Sequence, residues 1–252
     1  MTDWLDYFTA NRARPRPTAW HRTVALAPPL RDPLVRSLQR FQVGEQGAGR
    51  HLRRAARASG DARYAAAVDL FLAEEQAHAK TLAALLGALG APVLTRHWSD
   101  GCFIWLRHRA GLHGALLVLM VAEIIGEHVY RLVHATVPDA AVRAAMARIL
   151  ADEAAHIAFH CDALRRGPAA LPAPARQAVR CGWRLLFRGA CLVVLLDQRA
   201  FLATVGEPPR AFWRATGRRF AQAEAHVFGT AGLRPAGPVS TIQTPGATDT
   251  RR

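Results

Sequence analysis

Lysine is nearly absent from this chain: Lys80 is the only one among 252 residues, although Lys+Arg together number 33. A GC-rich coding bias accounts for arginine over lysine, but not for the net charge of +14. That surplus predicts an anionic neighbour, such as an acidic carrier protein, a nucleic acid or an anionic lipid surface. Cysteine is also scarce, and Cys102, Cys161, Cys181 and Cys191 form no C-x-x-C pair. A zinc ribbon or rubredoxin-type iron site is thereby disfavoured, and free thiols in a reducing cytosol are expected. No apolar run is long: GALLVLMVAEIIG, at 114–126, is interrupted by Glu123 and too short to span a bilayer. The opening MTDWLDYF has neither a basic start nor an apolar core, so no signal peptide is expected. The reading is a soluble, cytoplasmic protein, with peripheral membrane contact open to it.

What is present is helical periodicity, with no segment alternating convincingly as a strand. After a Pro/Arg-rich lead at 1–31, the pattern predicts helices over about 32–59, 61–89, 112–137 and 139–166. Pro33 stands in the first turn of the first, Gly60 and Asp61 separate the first pair, and Pro138 and Asp139 restart the chain into the fourth. Each is about 40 Å long at 1.5 Å per residue. Short links within each pair and a longer one between the pairs predict an all-α four-helix bundle over 32–166. Trp98 and Trp105 lie in the longer link, and Gly167-Pro168 ends the fourth helix. Two further helices, about 173–204 and 208–228, are expected to pack on the bundle within a 167–230 segment. The remainder, 231–252, is rich in Pro, Gly and Thr and is expected to be disordered.

Glutamate is used only eight times, and its placement carries the chemistry. AEEQAHAK puts Glu75 three residues before His78, and ADEAAHIAFH puts Glu153 three before His156. An i, i+3 pair projects from one helical face, so both side chains reach one ion. Upstream of each lies another glutamate in an apolar setting, Glu45 in FQVGEQGAG and Glu123 in LMVAEIIGE. Glu45 to Glu75 and Glu123 to Glu153 are each 30 residues apart, and the two sets are offset by 78: an internal repeat of a helix hairpin. Four carboxylates and two imidazoles in a core are costly to bury alone, and two divalent cations balance them. Oxygen and nitrogen donors suit iron or manganese.

These motifs resemble the ferritin-like di-iron carboxylate superfamily over about 33–166, whose carboxylate arrangement is a known bundle pattern. The resemblance implies that Glu75 and Glu153 bridge two metals, with Glu45 and His78 completing one and Glu123 and His156 the other. It also implies that Glu74 and Asp152, just before the bridging glutamates, hydrogen-bond the ligand histidines of the opposite helix. The lack of C-x-x-C sets the chain apart from rubredoxin-linked rubrerythrins. The two C-terminal helices and the complete second E-x-x-H set it apart from ferritin cages. Ile149 stands where p-aminobenzoate N-oxygenases carry an extra histidine. GEQGA, EIIGEHVY and the D-E-x-x-H motif look somewhat like demethoxyubiquinone hydroxylases.

Around this set, Glu127 is one turn from Glu123, as a metal ligand, a proton relay or a bundle-end charge meeting an arginine. Tyr130 extends the stripe, as cavity lining or as core. These two are the candidate catalytic side chains. His128 and His160 are candidates to stand just behind the ligands. Gly44, Gly47, Ala48, Gly49 and Gly126 allow either close helix packing or a void for O2 and substrate. Arg176, Arg180, Arg184 and Arg188 form an i, i+4 stripe, and Arg210, Arg214, Arg218 and Arg219 follow. They form a solvated face or a docking surface for an acidic carrier protein or anionic membrane, with nucleic acid disfavoured. The expected function is a di-iron oxygenase that uses O2 and an external electron donor to hydroxylate or desaturate an organic substrate. Fe/Fe is preferred over Mn/Fe, and a homodimer is one assembly open to the chain. The rival readings are iron or peroxide handling without an organic substrate, and a basic interaction module with a structural metal.

Overall fold

The computed structural model describes residues 2–14, 23–47, 49–98, 101, 111–165, 167 and 170–229. Ala48, Cys102, Trp105, Pro168 and the tail 231–252 lie outside the described residues. Those described form helices and connections, with no strand among them. No helix among them is long and apolar enough to cross a membrane.

The lead holds a helix that periodicity did not reveal. In α1 (Trp4–Arg12) Asp3 caps the first turn by accepting from the Asp6 N–H, and Phe8 and Asn11 face inward. The helix expected over 32–59 is two. α2 (Pro28–Glu45) starts earlier because Pro28 and Pro29 occupy positions whose N–H groups have no helical partner anyway. It ends at Glu45, and α3 (Arg50–Ala58) begins after Gly49, whose φ of 57° is left-handed. A Cβ on Gly49 would lie 2.2 Å from Leu72 Cδ2, so both the backbone and the space demand glycine.

α4 (Ala62–Ala88) is capped by Asp61, which accepts from the Tyr64 N–H at 2.9 Å. α5 (Gly111–Thr136) and α6 (Ala140–Leu164) follow, with Asp139 capping α6 through the N–H groups of Ala141 and Val142. The helix expected over 173–204 divides at Gln198 into α7 (Ala173–Asp197) and α8 (Arg199–Thr204). α9 (Pro209–Phe228) completes the described chain.

α2 lies along α4 and α5 along α6, while α4 also meets α6. α1 covers α4, α3 bridges α4 and α5, and α9 lies against both α5 and α6. Phe71, Leu82, Leu85, Leu116 and Met120 are fully buried where these helices meet. Each such side chain contributes about 1.5–3 kcal/mol of burial. Aromatic contacts seat the C-terminal helices: Trp183 donates to Leu117 O at 2.8 Å, and Phe187 stacks on Phe220 at 4.2 Å.

Candidate metal centre

The middle turns of α4 and α6 face each other and bring two E-x-x-H pairs together. One donor atom from each of Glu75, His78, Glu153 and His156 lies within 4.8 Å of the other three, a buried group able to hold a metal ion. His78 Nδ1 faces Glu153 Oε1 at 3.4 Å, and His156 Nδ1 faces Glu75 Oε1 at 3.1 Å. Among the described residues, neither ring nitrogen, nor Glu75 Oε1, is in hydrogen-bonding geometry with any partner. Lone pairs buried and aimed at one another without hydrogen bonds are what a cation would satisfy.

The two partner glutamates join this set. Glu45, at the end of α2, and Glu123, in the middle of α5, line the same cavity as Glu75 and Glu153. Glu123 Oε2 is also 3.7 Å from His156 Nδ1. Carboxyl groups crowded into one buried site do not all ionise freely, and their proton affinities divide. Burial, then the charges of Glu75 and Glu123, pushes Glu45 well above the usual carboxylate range. Burial and the Glu123 charge do the same to Glu153. Burial opposes ionisation of Glu123 too, yet hydrogen bonds from Glu153 and His156 hold it at about 2. Burial lowers the proton affinity of His156, but the surrounding carboxylates of Glu123, Glu74 and Glu75 outweigh burial and raise that affinity well above the usual range.

Behind the cluster the histidines are held crosswise. His78 Nε2 donates to Asp152 Oδ2 at 3.1 Å, and His156 Nε2 donates to Glu74 Oε2 at 3.1 Å. Each bond fixes the outer nitrogen as the N–H and directs Nδ1 inward. Asn11 closes the arrangement from α1: its amide donates to Glu74 Oε1 at 2.7 Å and to Asp152 Oδ1 at 2.8 Å. Arg148 adds a 3.2 Å ion pair to Asp152 and donates to Asn11 O. Sequence reasoning missed Asn11 because an isolated asparagine in a short helix carries no ligand pattern. The available signal was the Asp3 cap before WLDYF.

A cavity of about 520 Å³ opens onto the carboxylates. Glu45, Glu75, Glu123 and Glu153 line it together with Phe41, Leu72, Val118, Leu119, Ala122 and Ile125. Its volume lies in the range of small-molecule sites, about 300–1,000 Å³. Gly44, Gly47 and Gly126 face this space, and a Cβ on Gly44 would meet nothing within 4 Å. Among the glycines, Gly49 therefore serves close packing and Gly44 the void.

The side chains expected to work around the cluster divide. Tyr130 is buried and donates to Glu45 Oε1 at 2.5 Å, touching a candidate ligand without lining the cavity. Glu127 is not a cluster member: its oxygens accept from Arg131 at 2.7 Å and Arg219 at 2.8 Å, which ties α5 to α9. Of the three readings of Glu127, the charge that meets an arginine is the one this geometry matches. His128 is likewise away from the centre, joined to Glu207 at 3.0 Å and edge-on to Phe212. His160 is fully buried beside Phe71, and neither of its ring nitrogens has a hydrogen-bond partner. Within the arginine stripe, Arg180 and Arg184 are engaged by Glu224 of α9. Cys161, Cys181 and Cys191 are free thiols.

No family model, curated protein or solved structure matches this chain.

Proposed function

We propose that the chain is a ferritin-like di-iron carboxylate oxidoreductase, a four-helix bundle of α2, α4, α5 and α6 that uses O2 to hydroxylate or desaturate an organic substrate. The observation that carries this reading is the apolar cavity ending on the four carboxylates. Iron storage or peroxide removal needs no chamber of that size beside the metals, whereas oxidation of a carbon substrate does.

The donor set fits two divalent ions of the iron–manganese kind, with Fe/Fe preferred over Mn/Fe. Glu75, Glu153, His78 and His156 would hold them, completed by Glu45 and Glu123. When bound, two irons supply the redox change and the binding place for O2, with electrons from an external donor. The chain's own part is positional. Glu74 and Asp152 keep each histidine in the Nδ1-inward tautomer. Tyr130 holds Glu45 through a hydrogen bond and is the nearest hydroxyl proton to a candidate ligand oxygen. Phe41, Leu119 and Ile125 give the substrate side of the carboxylates an apolar wall.

The test is an anaerobic Fe²⁺ titration of metal-free protein, followed by mixing with O2 under an absorbance record. The reading expects saturation near two irons per chain, a transient visible band after O2, and loss of both in Glu75→Ala. Saturable iron inert to O2 would move the assignment to a structural centre. No saturable binding would end the dimetal reading.

A further inference from the structure

α3 carries four arginines that divide by face. Arg53 and Arg57 reach back to Asp69 on α4, at 2.5 and 3.4 Å. Arg50 and Arg54, one turn apart, line the cavity and have neither a hydrogen bond nor an ion pair among the described residues. Both are exposed, as befits the mouth of a chamber whose other end is carboxylate. Arg40 also lines the cavity, but its guanidinium is held by Asp197 at 3.0 Å. The uncommitted charge at the entrance therefore belongs to Arg50 and Arg54. Between entrance and carboxylates, the wall is apolar: Phe41, Leu72, Val118, Leu119, Ala122 and Ile125.

We propose that this cavity takes an anionic amphiphile, its carboxylate or phosphate head between Arg50 and Arg54 and its apolar chain directed toward Glu75 and Glu153. The inference rests on the reading of the cavity as a substrate site. Two guanidinium forks one turn apart match planar or tetrahedral oxyanions, which accept paired N–H donors. A cationic head there would face like charge, and a neutral head would leave both forks without an anion. The opposite orientation would leave both guanidinium forks without an anion, and in the metal-free protein it would also bring the anionic head against Glu45, Glu75, Glu123 and Glu153. The orientation assigns regiochemistry: the oxidised carbon is in the chain, remote from the head.

The experiment is titration calorimetry of full-length protein, metal-loaded and metal-free, with decanoate, decyl phosphate, decanol and decyltrimethylammonium. Decanoate or decyl phosphate is expected to bind about tenfold or more tighter than decanol, the effect of one or two charge-assisted hydrogen bonds. The ammonium should bind weakest. Binding by only one of the two anions identifies the head as carboxylate or as phosphate. The double variant Arg50→Gln/Arg54→Gln should erase the preference while keeping decanol affinity, melting temperature and metal stoichiometry. Ala122→Phe, within the cavity wall, should reduce binding of every probe. Equal affinity for decanoate, decyl phosphate and decanol, or an unchanged preference in the double variant, overturns the proposal. Iron loading and O2 reactivity are read separately. Normal iron chemistry with no anion preference rejects this inference alone, and an anion preference without iron binding rejects the di-iron reading alone.

Discussion

Asn11 Nδ2 lies 2.8 Å from Asp152 Oδ1, a bond that spans 141 residues of sequence and joins α1 to the back of the metal centre. The same nitrogen reaches Glu74 at 2.7 Å, so one neutral donor separates two buried carboxylates, each of which orients a histidine.

Asn11→Ala should leave those oxygens short of a donor and lower stability by about 1–3 kcal/mol. The histidines lose part of their support, and metal affinity should fall about 10–100-fold. Asn11→Asp should be worse, because it adds a third carboxylate where a donor stood. Urea unfolding and competition with a chelator measure the two effects. Unchanged metal affinity in Asn11→Ala would show that the α1 contact serves the fold alone.

Gly44 and Gly49 are five residues apart and should respond oppositely to alanine. Gly49→Ala places a Cβ against Leu72 in left-handed backbone and should cost about 1–3 kcal/mol. Gly44 is helical and open, so Gly44→Ala should be neutral or stabilising by up to about 1 kcal/mol. Thermal melts of the two variants decide this, and equal losses would contradict it.

His160 gives the metal-free protein a pH dependence. Burial, and then the charge of His156 against the pull of Glu123, lowers its affinity for protons from 6.5 to about 4. The fold favours the neutral ring, so this contribution is complete above pH 6.5 and is lost as pH falls toward 4. Glu45 and Glu153, both raised, act in the opposite sense, so the comparison must be made with a variant. His160→Leu removes the titrating group and, with it, ring nitrogens that have no partner. Between pH 7 and pH 4 the stability difference should move in the variant's favour by on the order of 3 kcal/mol. Denaturant titrations across that range would show it, and parallel pH profiles would refute it.

The candidate ligands were legible in the sequence because their cost is visible there. A glutamate amid small and apolar residues, repeated at a fixed distance before E-x-x-H, has few other uses. The long helices were equally plain, since caps such as Asp61 and Asp139 and breaks such as Gly60 and Pro138 mark their ends. The break at 46–49 was not, because glycine inside a helical pattern reads as a tolerated cost until Leu72 is seen to fill the space. α1 was hidden in a Pro/Arg-rich lead, and Asn11 acts through two hydrogen bonds from one amide group, which leave no periodic trace. For Glu127 helical spacing left three readings open, because Arg219, which it meets, is 92 residues away in sequence.

The crossed bonds from His78 to Asp152 and from His156 to Glu74 run between the two repeats, not within either one. Each hairpin has its own apolar seam, α2 on α4 and α5 on α6. The polar centre thus pins one hairpin to the other: what crosses between His78 and Asp152 and between His156 and Glu74 is polar, whereas each hairpin closes on itself with apolar side chains.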